Sequence, residues 1–343
     1  MKTIGMDIGT TTVCAVLTDA ETGELLDAKT LTNDAHLKSE RSWERIQNPT
    51  RILELCRQLL ADYLDCYEDV ESIGVTGAMH GILYTDKEGK AVSPLYTWQD
   101  QRGDQVNPES GMSYAKELSE ITGYAMATGF GLTTHYYNTK HGLIPEEAVS
   151  FCTIPDYVAF SIAREKAPLL HQSMAASLGV YDIQKGCFDT EAIERAGMDI
   201  RMLPQVTKEN ALCGKTAEGI PVAVSLGDNQ ASFLGSVNEE CKVLLNVGTG
   251  AQLSAYSEKI AEGENLECRP YVGDSWLLAG SALCGGYAYS LMKRFFEETL
   301  ELAEAEAKRP AYEILNQAAA AAYEEEKQLT VDTRFNGTRQ NPS

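Results

Sequence analysis

The first apolar runs along the chain are short and separated by small polar turns. Thr3 to Ile8 reads as a strand, Gly9-Thr10-Thr11 as a tight turn, and Thr12 to Leu17 as the return strand. Asp19 to Glu24, with Gly23, makes a second turn, and Leu25 to Leu31 a third strand. The period then changes. Ile52, Leu55, Cys56, Leu59, Leu60 and Tyr63 recur at helical spacing and form one apolar stripe. Asn48 suits the N-cap of that helix and Pro49 its first position. Ser72 to Thr76 is a short buried strand, so the opening predicts β-β-β-α-β.

Residues 100 to 220 are mixed, with helical segments expected over Tyr114 to Thr122 and Pro155 to Ile162. Pro221 to Leu226 is an apolar strand that runs into Gly227-Asp228, and Gln230 to Leu234 opens a helix. The opening pattern then restarts. Lys242 to Asn246 reads as a strand, Gly248-Thr249-Gly250 as a turn, and Ala251 to Tyr256 as a return strand. Helices are expected over Gly286 to Leu302 and Tyr312 to Lys327, where the run Ala318 to Ala322 has high helix propensity. The boundary between the two halves is expected in Ser236 to Glu240, giving domains 1–237 and 238–343. The fold class is α/β, two domains with mixed sheets flanked by helices.

Charge narrows the function. Fifty acidic against 29 basic residues give a net charge of -21. Such a field repels nucleic acid and anionic membranes, so neither is expected as a partner. It also repels nucleotide phosphates, which must be neutralised locally by a metal ion, backbone N–H groups or placed bases. Nine scattered cysteines without a C-x-x-C pair suggest neither a disulfide framework nor a zinc site. Reduced thiols in a cytoplasmic setting are the expectation.

Five short segments carry candidate chemistry. In Asp7-Ile8-Gly9-Thr10-Thr11, a Gly/Thr turn exposes N–H groups and hydroxyls that can hold phosphate oxygens, and Asp7 can hold hydrated Mg²⁺. Asn246-Val247-Gly248-Thr249-Gly250 offers the same turn chemistry a second time. No Walker motif is present, which argues against a P-loop enzyme. Asp228, at a strand end just before a helix, is placed to act as a general base, or simply to cap that helix. Thr76 to Gly81 and Thr97 to Arg102 mix polar and aromatic groups, as sugar sites do. Trp98 can stack on a sugar face, and His80, Asp100 and Arg102 can bond hydroxyls. Each of these also has a plain structural use. His80 and Trp98 can be core residues, and Arg102 can pair with Asp100 or Asp104 at the surface.

In this order the segments resemble the FGGY carbohydrate kinases. Met6-Asp7-Ile8-Gly9-Thr10-Thr11 resembles the family's first phosphate motif and Gly248-Thr249-Gly250 its second. Gly77-Ala78-Met79-His80-Gly81 resembles the sugar-contacting segment of xylulose and sedoheptulose kinases, and Trp98-Gln99-Asp100-Gln101-Arg102 the Trp-x-Asp-x-Arg segment. Gly227-Asp228-Asn229-Gln230-Ala231 is similar to the catalytic-base motif. The resemblance implies an actin-like ATPase fold of two ribonuclease-H-like domains, the second incomplete. It also implies ATP and Mg²⁺ as cofactors and a ketose as the sugar. Asp228 would be the base, and Asp7 and Asp228 the metal carboxylates. Met79, His80, Trp98, Asp100, Arg102 and Asn229 would contact sugar, and Gly9, Thr10, Thr11, Gly248, Thr249 and Gly250 would contact the nucleotide. A homodimer is the assembly to look for.

Phe335-Asn336-Gly337-Thr338-Arg339 resembles a segment midway through the family's second domain, and no Gly-rich adenosine-binding segment follows. Sugar binding is therefore expected to exceed ATP binding. Two rival readings remain. One is a non-catalytic sugar-binding or regulatory protein. The other is a different actin-like ATPase, which Met79-His80 and Trp98 argue against.

Overall fold

The computed structural model describes residues 1–238, 240–248, 250–261, 263, 266–282 and 284–322. The chain divides into two compact units. One comprises Met1–Gly235 with Arg269–Ser275, the other Ser236–Cys268 with Trp276–Ser343.

The first unit is built on β1 (Lys2–Ile8), β2 (Thr12–Asp19), β3 (Leu25–Thr32), the short β4 (Ile46–Gln47) and β5 (Val70–Gly77). Helices α1 (Pro49–Leu64), α2 (Tyr114–Thr122), α3 (Gly131–Lys140), α4 (Ile154–Ile162), α5 (Gln172–Ser177), α6 (Thr190–Arg195) and α7 (Asp228–Ser236) follow along the chain. The main sheet runs in the order Leu212–Lys215, Pro221–Ala223, β5, β1, β2, β3. A separate two-residue strand, Leu226–Gly227, also pairs with β5. β1, β2 and β3 are antiparallel, whereas β5 and Leu226–Gly227 run parallel to β1.

Alternation decides which face of the sheet is covered. Ile4, Met6 and Ile8 of β1 and Val13, Ala15 and Leu17 of β2 are buried to 1% exposure or less. Each large aliphatic of this kind contributes about 1.5–3 kcal/mol on burial. The α1 stripe Ile52, Leu55, Cys56, Leu59, Leu60 and Tyr63 is buried in the same core, and the Tyr63 hydroxyl donates to the Ala15 carbonyl at 3.1 Å. The Asn48 side chain caps α1 by accepting from the N–H groups of Thr50 and Arg51.

Three expectations change. The predicted strand Pro221 to Leu226 breaks into Pro221–Ala223 and Leu226–Gly227, and between them the Ser225 hydroxyl bonds Asp156. The following helix begins at Asp228, not Gln230. A contiguous division at residue 237 also omits Arg269–Ser275. Gln172 Nε2 donates to the Tyr271 and Gly273 carbonyls, Gln230 Nε2 donates to the Pro270 carbonyl, and Phe233 meets Tyr271 edge to face.

The second unit contains the strands Val243–Val247, Ala251–Ser257 and Trp276–Ala282, hydrogen-bonded in that order. Helices α8 (Gly286–Leu302) and α9 (Ala311–Ala322) follow them. The expected continuation of α9 to Lys327 and the segment Phe335 to Pro342 lie outside the described residues. Among the described residues no helix is long and apolar enough to cross a membrane.

Gly77 sits at the join between β5 and β1 with φ +154°, and a Cβ there would lie 2.4 Å from the Ile8 carbonyl oxygen. Gly77→Ala must therefore push the two central parallel strands apart. We expect a loss of about 2 kcal/mol or more in unfolding free energy, read as a lower urea midpoint. An unchanged midpoint would contradict this packing.

Candidate active site

Register brings the candidate segments to one sheet edge. Ile8 of β1 and Gly227 both stand opposite Gly77 of β5, so three parallel strands end level. The chain leaves those ends as the Gly9-Thr10-Thr11 turn, as Ala78-Met79-His80 and as Asp228. Strands pair about 4.8 Å apart, so the outer two of the three lie about 10 Å from each other. The carboxyl ends of parallel strands are where open α/β sheets bind ligands.

The first turn is braced on several sides. Gly9 N–H donates to the Thr12 carbonyl at 2.9 Å. Asn33 Nδ2 donates to the Gly9 carbonyl and Gln47 Nε2 to the Thr10 carbonyl, both at 2.9 Å. Trp98 Nε1 donates to Thr10 Oγ1 at 3.1 Å. A concavity here is lined by Gly9, Thr10, Gln47, Met79, Thr97 and Trp98 among others. Asn33 and Gln47, both buried, escape a sequence reading. Each stands alone in an ordinary context, and only the fold carries its amide to the turn.

Met79 is buried, while Trp98 is 43% exposed. His80 has φ +71°, and its N–H donates to Ser177 Oγ at 3.2 Å. Its Nδ1 lies 2.7 Å from the Ser177 carbonyl oxygen, which can only accept, so Nδ1 carries the hydrogen. The ring stacks on Phe130 at 4.9 Å. His80 is thus a fixed ring beside the concavity.

Asp100 and Arg102 depart from the surface-pair alternative. Both are 0% exposed. Arg102 Nε and Nη2 meet the two Asp100 oxygens at 2.6 and 3.2 Å, Nη1 meets Asn138 Oδ1 at 2.5 Å, and Nη2 meets Glu44 Oε1 at 3.2 Å. The guanidinium lies 4.0 Å from the Tyr96 ring centroid. Arg45 N–H donates to Asp100 Oδ2 at 2.9 Å. These groups bond one another. They lock the loop that presents Trp98 to the segment that presents Gln47.

Asp228 opens α7, where the partial positive charge of a helix N-terminus stabilises a carboxylate. Its Oδ1 accepts from Asn229 N–H at 2.6 Å. Asn229 Oδ1 accepts from Arg269 Nη1 at 3.1 Å, so that oxygen is held within the protein. Asp7 lies on the exposed side of β1, and partial desolvation raises its pKa above the usual carboxylate range. Among the described residues no three His, Cys, Asp or Glu side chains cluster as a metal cage.

The second unit carries the other Gly turn. Gly248 N–H donates to the Gly250 carbonyl at 2.9 Å, and Gly286 N–H, at the start of α8, donates to the Gly248 carbonyl at 2.7 Å. Thr249 lies outside the described residues.

A fold of this kind, with mixed sheets and a Gly/Thr hairpin at the strand ends, matches solved sugar kinases of the actin-like ATPase class. The chain superposes on xylulose kinase from Rhodospirillum rubrum with a TM-score of 0.78 at 19% identity, covering 94% of this chain and 67% of that one. Residues 2–235 match the family model "FGGY family of carbohydrate kinases, N-terminal domain", and the chain belongs to that family. It is 30% identical over 290 residues to sedoheptulokinase of Mus musculus, covering 74% of this chain and 58% of that protein. It is 30% identical over 288 residues to the human sedoheptulokinase, covering 74% and 59%. The chain thus spans about 60% of the length of these relatives.

Proposed function

We propose that the protein transfers the γ-phosphoryl group of ATP to a terminal hydroxyl of a ketose, a seven-carbon ketose first and xylulose second. The observation that carries this reading is the level ending of β1, β5 and Leu226–Gly227, which sets Thr10, Met79 and Asp228 along one edge. Asp228 takes the hydroxyl proton as that oxygen forms its bond to phosphorus and the bond from phosphorus to the ADP oxygen breaks. Positioning and charge stabilisation do most of the work in such a transfer. Trp98 offers a ring face to the sugar's carbons, and Met79 and His80 shape the same wall.

Thr10 and Thr11 would offer N–H groups and hydroxyls to phosphate, with Gly9 allowing its close approach, and the Gly248-Thr249-Gly250 turn would serve the same purpose on the second unit. Asp7 and Asp228 would hold hydrated magnesium, which supplies neutralisation of phosphate charge. One or two carboxylates suit that ion, since it keeps waters and phosphate oxygens as its other ligands. Residues 1–237 would serve the sugar and 238–343 the nucleotide. A cytoplasmic enzyme, and a homodimer, complete the reading.

The test is coupled ADP release with D-xylulose, D-ribulose, sedoheptulose, glycerol and gluconate. The expected result is stimulation by ketoses, with the highest kcat/KM for sedoheptulose. Ketose binding by calorimetry without any ADP release would favour a non-catalytic sugar-binding protein. Release that no sugar stimulates would overturn the sugar-kinase reading.

A further inference from the structure

The strand that delivers Asp228 is only two residues long and pairs on one side, to β5. So short a ladder fixes a backbone poorly. Yet a base must be held closely, because a displacement of about 1 Å can cost on the order of 10²-fold in rate. Something besides the sheet must hold this segment.

Three consecutive residues before Asp228 are each gripped by a side chain from a different element. The Ser225 hydroxyl donates to Asp156 Oδ1, from α4. Thr76 Oγ1, from β5, donates to the Leu226 carbonyl at 2.8 Å. Gly227 N–H donates to Ser173 Oγ, from α5, at 3.2 Å. The gripping groups are themselves fixed. Asp156 Oδ2 accepts from the Thr153 hydroxyl at 2.6 Å in a capping box, and Ser173 Oγ lies 2.8 Å from His171 Nδ1. Asp156, Ser173 and Ser225 are 2%, 1% and 0% exposed. There is no slack on the other side either. A Cβ on Gly227 would lie 2.5 Å from Gln230 Oε1 and 2.7 Å from Met79 Sδ.

A carboxyl buried like Asp156, with hydroxyls and an N–H as its partners, is costly for stability. Desolvation raises its pKa to about 6. Neither the sugar wall nor the phosphate turns uses it.

We propose that Asp156, Thr76 and Ser173 are positioning residues that together set the place of the Asp228 carboxylate. They touch neither sugar nor nucleotide. Their effect passes through residues 225 to 227 alone, and it rests on the role of Asp228 as base.

Thr76→Val, Ser173→Ala and Ser225→Ala each remove one of these bonds with little change in volume. Ketose-dependent kcat should fall about 10- to 100-fold in each, while the ketose KM stays within about twofold. Thr76→Ser, which keeps the hydroxyl, should restore kcat. Built on Asp228→Asn, none of the three should lower the remaining rate further, since residues acting as one unit are not additive. Melting curves identify any variant that fails to fold, and the conclusion is read from those that do. Unchanged kcat in the folded variants, or equal losses in the Asp228→Asn background, would overturn the proposal while leaving the kinase reading intact. A wild-type protein with no ketose-dependent ADP release would overturn both.

Discussion

Asp228→Asn lowers ketose-dependent ADP release by about 10²- to 10⁴-fold, the range typical of a lost general base. The amide has nearly the same shape, and its oxygen can still accept from Asn229 N–H as Asp228 Oδ1 does at 2.6 Å. What it lacks is a lone pair basic enough to take the hydroxyl proton. The ketose dissociation constant should therefore stay within about twofold, since uniform binding is separate from transition-state stabilisation. Steady-state kinetics and calorimetry on the same preparation separate the two. Wild-type turnover in this variant would remove Asp228 from the chemistry. A comparable loss of ketose affinity would make it a binding residue instead.

Arg102→Met carries the largest expected effect on stability. It leaves the Asp100 carboxylate at 0% exposure without its bidentate partner, and it empties the place beside Tyr96, Trp43 and Tyr137. Breaking one side of a buried pair costs about 3–5 kcal/mol. Arg102→Lys should recover little, because an ammonium cannot reproduce the planar fork on two carboxylate oxygens. Denaturant titration gives the number. A loss below about 1 kcal/mol would place Arg102 with surface pairs, contrary to its burial.

Much of the first sheet is legible in the sequence because its elements repeat at one period. β1, β2, β3 and α1 appear where alternation and the Ile52 to Tyr63 stripe place them. Helix α3 is not legible in this way. Gly131 to Asn138 are all buried, so no polar face marks a helical period. The split at Val224 and Ser225 hides for a related reason, since the Ser225 hydroxyl bonds Asp156, far along the chain. For the site, turn-forming Gly and Thr and the strand-end Asp stand out by type. Burial does not. The sequence suggests that Asp100 and Arg102 face a ligand or the solvent, and only the fold reveals Trp43, Tyr96 and Tyr137 around them. Asn33 and Gln47 are invisible until the chain folds back on the first turn.

The return of Arg269–Ser275 bears on how this chain can be cut. Gln172 and Gln230 sit in the interior with their amide hydrogens directed at carbonyls of that run. A gene ended at residue 237 would make a protein whose two glutamines face a gap, with the Phe233 ring stripped of its neighbour. The sequence order of the halves is therefore a poor guide to excision. A stand-alone first unit needs those seven residues grafted back, or both glutamines replaced.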